Sequence, residues 1–154
     1  MAAIKPCLVS ACLAGERCRY DGKDNSDARI EYLAARGLAL PVCPELLGGL
    51  PVPRKPCELS DGRVLDSDGG DHSEAFVSGA REALRRGREA GCSLAVLKAR
   101  SPSCGSGVIY DGSFSHTRVP GDGVFAALLK REGFIVYSEE DLPDLAELGY
   151  AETP

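Results

Sequence analysis

The chain has 154 residues, 44% hydrophobic and 27% charged. That length suits one domain across 1–154 able to bury roughly 70% of its unfolded surface, and the composition excludes disordered, collagenous and low-complexity classes. Eighteen basic against twenty-three acidic side chains leave a net charge of -5, which argues against nonspecific binding to nucleic acid and favours a small or neutral partner.

Taken in chain order, the apolar run Pro6 to Ser10 predicts a first strand. The segment NSDARIEYLAARG predicts a helix, with Asn25, Ser26 or Asp27 as its cap and Gly37 as its stop. Leu38 to Val42 predicts a second strand that ends at Cys43, and the proline-rich stretch from Pro44 to Pro56 reads as a long loop. The segments CEL and RVLD around Ser60-Asp61-Gly62 suggest a small hairpin. A helix follows from Asp71 to Gly91, with Phe76, Ala80, Ala83, Leu84, Gly87 and Ala90 on one face and Asp71 and Glu74 at capping-box spacing. Leu94 to Lys98 is a third strand, and residues 99–123 form a long connection rich in Gly and Ser. Val124 to Glu132 is a helix closed by Gly133, and a fourth strand starts at Phe134 to Val136. A last helix is expected from Glu139 to Leu148, capped by Ser138 with Asp141 and carrying Pro143 early. Continuous apolar strands alternating with amphipathic helices predict an α/β fold. The expected architecture is a three-layer sandwich with a mostly parallel central sheet, flavodoxin-like or Rossmann-like.

No apolar run approaches the roughly 18 residues of a membrane span. The N-terminal stretch, broken by Pro6 and followed at once by charges, is a poor signal peptide. A cytoplasmic location is therefore expected, and in that reducing compartment an odd set of seven cysteines points to metal binding or thiol chemistry rather than disulfides. Ligands of open parallel sheets bind beyond the carboxyl ends of the strands. Cys12, Cys43 and Cys104 each fall just past a predicted strand end, so the fold would bring them to one rim.

Several readings of these thiols remain open on spacing alone. Zinc sites usually use close cysteine pairs, and the nearest spacings here are Cys7-x4-Cys12 and Cys12-x5-Cys18. An iron-sulfur cluster tolerates scattered ligands, and three ligands on a 4Fe-4S cluster leave one iron open. Simple packing is the competing reading, since free cysteine is often a small buried hydrophobe; it is assigned to Cys7, Cys57 and Cys92. Other chemistries fare worse. There is no phosphate-binding P-loop, and Gly105-Ser106-Gly107 lacks the third glycine of a dinucleotide fingerprint. Cys57 and Arg63 have phosphatase-like spacing but straddle a predicted hairpin. Of the two histidines, His72 reads as a neighbour of a helix cap and His116 lies in the glycine-rich connection.

The motifs themselves carry a resemblance. Ser10-Ala11-Cys12-Leu13-Ala14-Gly15 runs on to Cys18-Arg19-Tyr20-Asp21-Gly22, and Pro41-Val42-Cys43-Pro44-Glu45 precedes Gly48-Gly49-Leu50-Pro51. Arg100-Ser101-Pro102-Ser103-Cys104-Gly105-Ser106-Gly107 then leads to Ile109-Tyr110-Asp111-Gly112 and Val119-Pro120-Gly121-Asp122-Gly123. From about Val9 to Glu139 the chain resembles the bacterial thiouracil desulfidases. The resemblance implies a 4Fe-4S cluster held by Cys12, Cys43 and Cys104, with Glu45 and Ser101 as catalytic residues. It also implies non-redox removal of sulfur from thiouracil or a related thionucleobase, giving uracil and sulfide. On that reading Glu45 activates water and Ser101 hydrogen-bonds the ring or the departing sulfur. Cys18 is structural or a substitute ligand, and Arg19, Arg54, Lys98 and Arg100 offset negative charge. A non-catalytic iron-sulfur or metal module and a cysteine-persulfide sulfur transferase are the alternatives.

Overall fold

In the computed structural model, which describes residues 4–150, a four-stranded sheet is built from β1 (Cys7–Ser10), β2 (Ala39–Val42), β5 (Leu94–Leu97) and β8 (Ile135–Ser138). Its order is β2-β1-β5-β8 and every pairing is parallel. Leu8 points to one face with Ala95 and Leu97, while Cys7, Val9 and Val96 point to the other. Both faces are therefore apolar, which is why these strands read as uninterrupted hydrophobic runs.

Helices cover both sides. α3 (Ser73–Glu89) and α4 (Val124–Arg131) pack Ala80, Leu84, Phe125 and Leu129 against Leu8, Ala95 and Leu97. On the opposite face α1 (Ala28–Ala35) contributes Ile30 and Leu33, joined by Leu13, Leu145 and Tyr150. The result is the three-layer α/β sandwich expected, with the sheet entirely parallel. The Asp27 carboxylate caps α1 through Arg29 N at 3.0 Å. On α3 the apolar stripe is buried from Phe76 to Gly87, with Gly79 added to it.

Three connections differ from the sequence reading. The proline-rich segment is not all loop: α2 (Pro44–Leu47) starts directly after Cys43, with Pro44 in the first turn, where its missing N–H costs no hydrogen bond. Besides the expected antiparallel hairpin of β3 (Cys57–Ser60) and β4 (Arg63–Asp66), the long glycine-rich connection folds into a second one, β6 (Val108–Tyr110) with β7 (Arg118–Pro120). Strands of three residues are too short to leave a periodic signal. Finally, the helix expected from Glu139 to Leu148 does not form. The Asp141 carboxylate does accept the Ser138 N–H at 2.7 Å, but Pro143 disfavours helical geometry at Leu142, and the segment closes instead as turns over Leu145 to Tyr150.

The placement of α2 depends on two glycines at its contact with α3. A Cβ at Gly79 would lie 1.7 Å from the carbonyl oxygen of Pro44, and one at Gly48 would lie 2.0 Å from that of Ala75. Gly79→Ala should therefore force α2 away and cost about 1–3 kcal/mol, the usual range for overpacking. Ser78→Ala, on the exposed side of the same helix, should change stability by under about 0.5 kcal/mol. Urea unfolding midpoints of the two variants measure the contrast.

Candidate active site

The sheet order puts its topological switch between β1 and β5, whose following chains leave in opposite directions and open a crevice beyond their carboxyl ends. A cavity of about 420 Å³ occupies that crevice, at the small end of the roughly 300–1,000 Å³ typical of small-ligand sites. Cys12, Cys43, Cys104, Glu45 and Ser101 all line it, so the structure brings together every site residue singled out from the sequence. Cys18 and Cys57 line it as well, whereas Cys7 and Cys92 are buried in the two core clusters.

Each thiol is delivered by a distinct local device. Cys12 sits in a 3-10 turn, Ala11–Ala14, that follows β1 without a break. Cys43 follows β2 and occupies the N-cap position of α2. Cys104 lies in a tight turn closed by Gly105 N to Ser101 O at 2.8 Å. The Ser101 hydroxyl oxygen accepts the backbone N–H groups of Ser103 and Cys104 at 3.1 and 3.0 Å, so its acceptor capacity is used by the turn and its O–H remains to be donated.

The thiols are not electrostatically equivalent. The three thiols Cys12, Cys18 and Cys43 act on one another: the neighbouring Cys18 side chain lowers the pKa of Cys12 and of Cys43, while its own is raised. Asn25 adds a hydrogen bond to Cys12, its side-chain oxygen being taken by Arg19 Nη1 at 3.0 Å. Burial pushes the Cys104 thiol up, opposed by a hydrogen bond from Ser10. Burial also raises Cys57 to about 11. Ser10 and Asn25 had no marker in the sequence beyond their positions at a strand end and before a helix, because their partners are distant along the chain.

Among the described residues no three His, Cys, Asp or Glu side chains are gathered closely enough to hold a single metal ion. A donor set of separate thiols around a cavity suits soft iron-sulfur chemistry, in which each cysteine reaches its own iron.

Glu45 projects from the first turn of α2. Arg54 donates Nε to Glu45 Oε2 at 3.0 Å, and its Nη2 bonds the same oxygen and the carbonyl of Cys18, the latter at 2.9 Å. The other carboxylate oxygen carries no bond from Arg54. Arg54 also bonds Pro51 O through Nη1 at 3.1 Å, and its own N–H reaches Tyr20 O at 2.8 Å, so one side chain ties three segments of the wall together. With side chains only 8% and 17% exposed, this pair is shielded in a way that the Arg85–Glu82 pair on α3, 54% and 33% exposed, is not. Arg54→Met should accordingly destabilise the protein by about 3 kcal/mol, because it strands a mostly buried carboxylate. Arg85→Met should cost less than about 1 kcal/mol. Denaturant titration at neutral pH compares the two.

Residues 7–141 match the family model described as 2-thiouracil desulfurase. The chain is 41% identical over 148 residues to the protein YbbK of Bacillus subtilis (strain 168), an alignment covering 90% of this chain and 98% of YbbK. It is also similar to the solved structure of TudS, described as a 4Fe-4S-dependent thiouracil desulfidase, with a TM-score of 0.88 and 43% identity over 94% of this chain and 97% of that one. Motifs, fold and crevice thus agree with a match that spans most of the molecule, and the chain belongs to the 2-thiouracil desulfurase family.

Proposed function

We propose that this protein removes the exocyclic sulfur of thiouracil or a related thionucleobase, with water as the nucleophile and uracil and sulfide as products. The observation that carries the reading is the convergence of Cys12, Cys43 and Cys104 on one cavity with Glu45 and Ser101. The donor set fits a 4Fe-4S cluster, which Cys12, Cys43 and Cys104 would hold. Held by three cysteines, such a cluster supplies an open, thiophilic iron that acts as a Lewis acid toward sulfur.

The chain's own groups divide the remaining work. Arg54 fixes one oxygen of Glu45, leaving the other to take a proton from water as that water attacks the ring carbon. The proton then goes to the departing sulfur. A C–O bond replaces a C–S bond, with no change in the oxidation state of carbon and no need of an external electron donor. Ser101 donates its O–H to the ring or to the departing sulfur, a contact worth about 1–3 kcal/mol in a shielded site. Cys18, on the same cavity wall, serves as a neighbour of the ligands Cys12 and Cys43 and stands outside the ligand set.

The electrostatics favour an uncharged substrate. All five Lys and Arg side chains on the cavity wall already face carboxylates: Arg19 with Asp21, Arg54 with Glu45, Lys55 with Asp68, Lys98 with Glu139 and Arg100 with Glu140. Among the described residues every cation of the wall thus has a carboxylate partner, which supports a free base over a nucleotide or an RNA. Among the described residues no helix is long and apolar enough to cross a membrane.

Anaerobic reconstitution should give about four irons per chain with broad visible absorption, together with sulfide release from thiouracil. Glu45→Gln should retain that absorption and lower kcat by roughly 10²- to 10⁴-fold, the usual contribution of a positioned acid or base. Cys18→Ser should retain the iron. Turnover by iron-free protein would refute the cluster assignment, and collapse of the spectrum in Glu45→Gln would make that residue structural. Loss of iron in Cys18→Ser would move that cysteine into the ligand set.

A further inference from the structure

The tip of the β6–β7 hairpin, residues 111–117, contributes the exposed His116 to the lining of the cavity, which Tyr110 at the end of β6 lines as well. Two non-glycine residues of this tip, Phe114 and His116, have φ of 58° and 60°. That left-handed conformation is uncommon outside glycine, for phenylalanine more than for histidine, and the surroundings help to hold it. Here they do so through several bonds. Glu58 Oε1 on β3 accepts the N–H groups of Gly112 and Phe114 at 3.0 and 3.2 Å. Asp111 N bonds Thr117 O at 3.0 Å, and a chain of hydroxyls links Ser113 to Ser115 and Ser115 to Thr117 at 2.6 and 2.7 Å.

Glycine takes this backbone shape freely and stands at 112 in the same turn. At 116 the chain carries an exposed imidazole instead, outside the core. What the conformation achieves is placement: the His116 ring meets Tyr110 edge to face, with centroids 6.0 Å apart and an interplanar angle of 83°. An edge-to-face brace fixes the orientation of a ring while leaving one of its faces available.

We propose that His116, braced by Tyr110 and held by the Glu58 tether, is a specificity-determining residue: its ring is the wall on which the planar heterocycle stacks as it enters the cavity. This inference rests on the desulfidase reading given above. Stacking of a base on an aromatic side chain typically changes affinity by roughly 5- to 150-fold. It acts on the ring rather than on the carbon–sulfur bond, so its loss should fall on binding rather than on kcat.

The test uses reconstituted protein and the variants His116→Asn and His116→Phe. Asparagine tolerates the left-handed backbone and removes the ring; phenylalanine restores an aromatic face without a ring nitrogen. The readouts are the dissociation constant of uracil by calorimetry, KM and kcat with 2-thiouracil, and the visible spectrum. We expect His116→Asn to weaken uracil binding and raise KM by roughly 10-fold, with the smaller effect on kcat and an unaltered spectrum, and His116→Phe to recover most of the loss. Glu58→Ala, which frees the tip while keeping His116, should give a similar rise in KM. If His116→Asn binds as the parent does, or if phenylalanine does not restore what asparagine loses, the proposal is overturned while the desulfidase reading stands. If the parent protein assembles its cluster yet neither binds uracil nor consumes thiouracil, that reading fails and this proposal fails with it.

Discussion

The parallel direction of the central strands is the constraint on which the rest depends. Because β1, β2 and β5 all run the same way, their carboxyl ends open on one edge, with Ser10 directly opposite Val42 in register. Cys12 and Cys43 follow those two residues closely, and the chain leaving β5 returns Cys104 to a hydrogen bond with Ser10. An antiparallel arrangement would send alternate strand ends to opposite edges and separate the thiols by the length of the sheet. Parallel strands require long crossovers, and these same crossovers supply the helices that bury both faces. The scaffold and the site are thus consequences of one topological choice.

Bringing thiols and a carboxylate into a partly shielded crevice concentrates negative charge, and the structure answers with local pairing. Two unit charges about 4 Å apart interact by roughly 1 kcal/mol in water but about 4 kcal/mol near a protein surface, so the shielded Arg54–Glu45 contact outweighs the exposed pairs along α3. Cys18 is the complementary neighbour for the thiols, since it lowers the pKa of Cys12 and Cys43 without adding a charge. One result is a wall whose cations are all engaged. A second is a carboxylate with one oxygen tethered by Arg54, while the Ser101 hydroxyl keeps a proton to donate.

Rigidity and strain are distributed accordingly. The ligand-bearing segments hang from buried strands and from the close glycine contact of α2 with α3, and positive-φ residues stand both there, at Arg100 just before Ser101, and at the β6–β7 hairpin tip, at Phe114 and His116. Loops on a rigid scaffold are where recognition concentrates, and Glu58 ties the backbone of this tip down at Gly112 and Phe114.

Local pattern was enough for the four sheet strands, for α1, α3 and α4, and for the β3–β4 hairpin, because continuous apolar runs, capping residues and glycine stops act over a few residues. It also marked Cys12, Cys43 and Cys104 by their position after strand ends, and the long motifs around them identified the family. What the chain alone did not reveal depends on partners distant in sequence. The four-residue α2 and the three-residue β6 and β7 are too short for periodicity and exist through the contacts they make. Pro143 overrides an apparent helix cap. The pairing of Arg54 with Glu45, the placing of Cys18 beside Cys12 and Cys43, the entry of Cys57 into the cavity wall and the bracing of His116 by Tyr110 join segments that only folding brings together. Propensity and hydrophobic pattern are properties of neighbours along the chain, while the charge state and orientation of a site residue are set by neighbours in space.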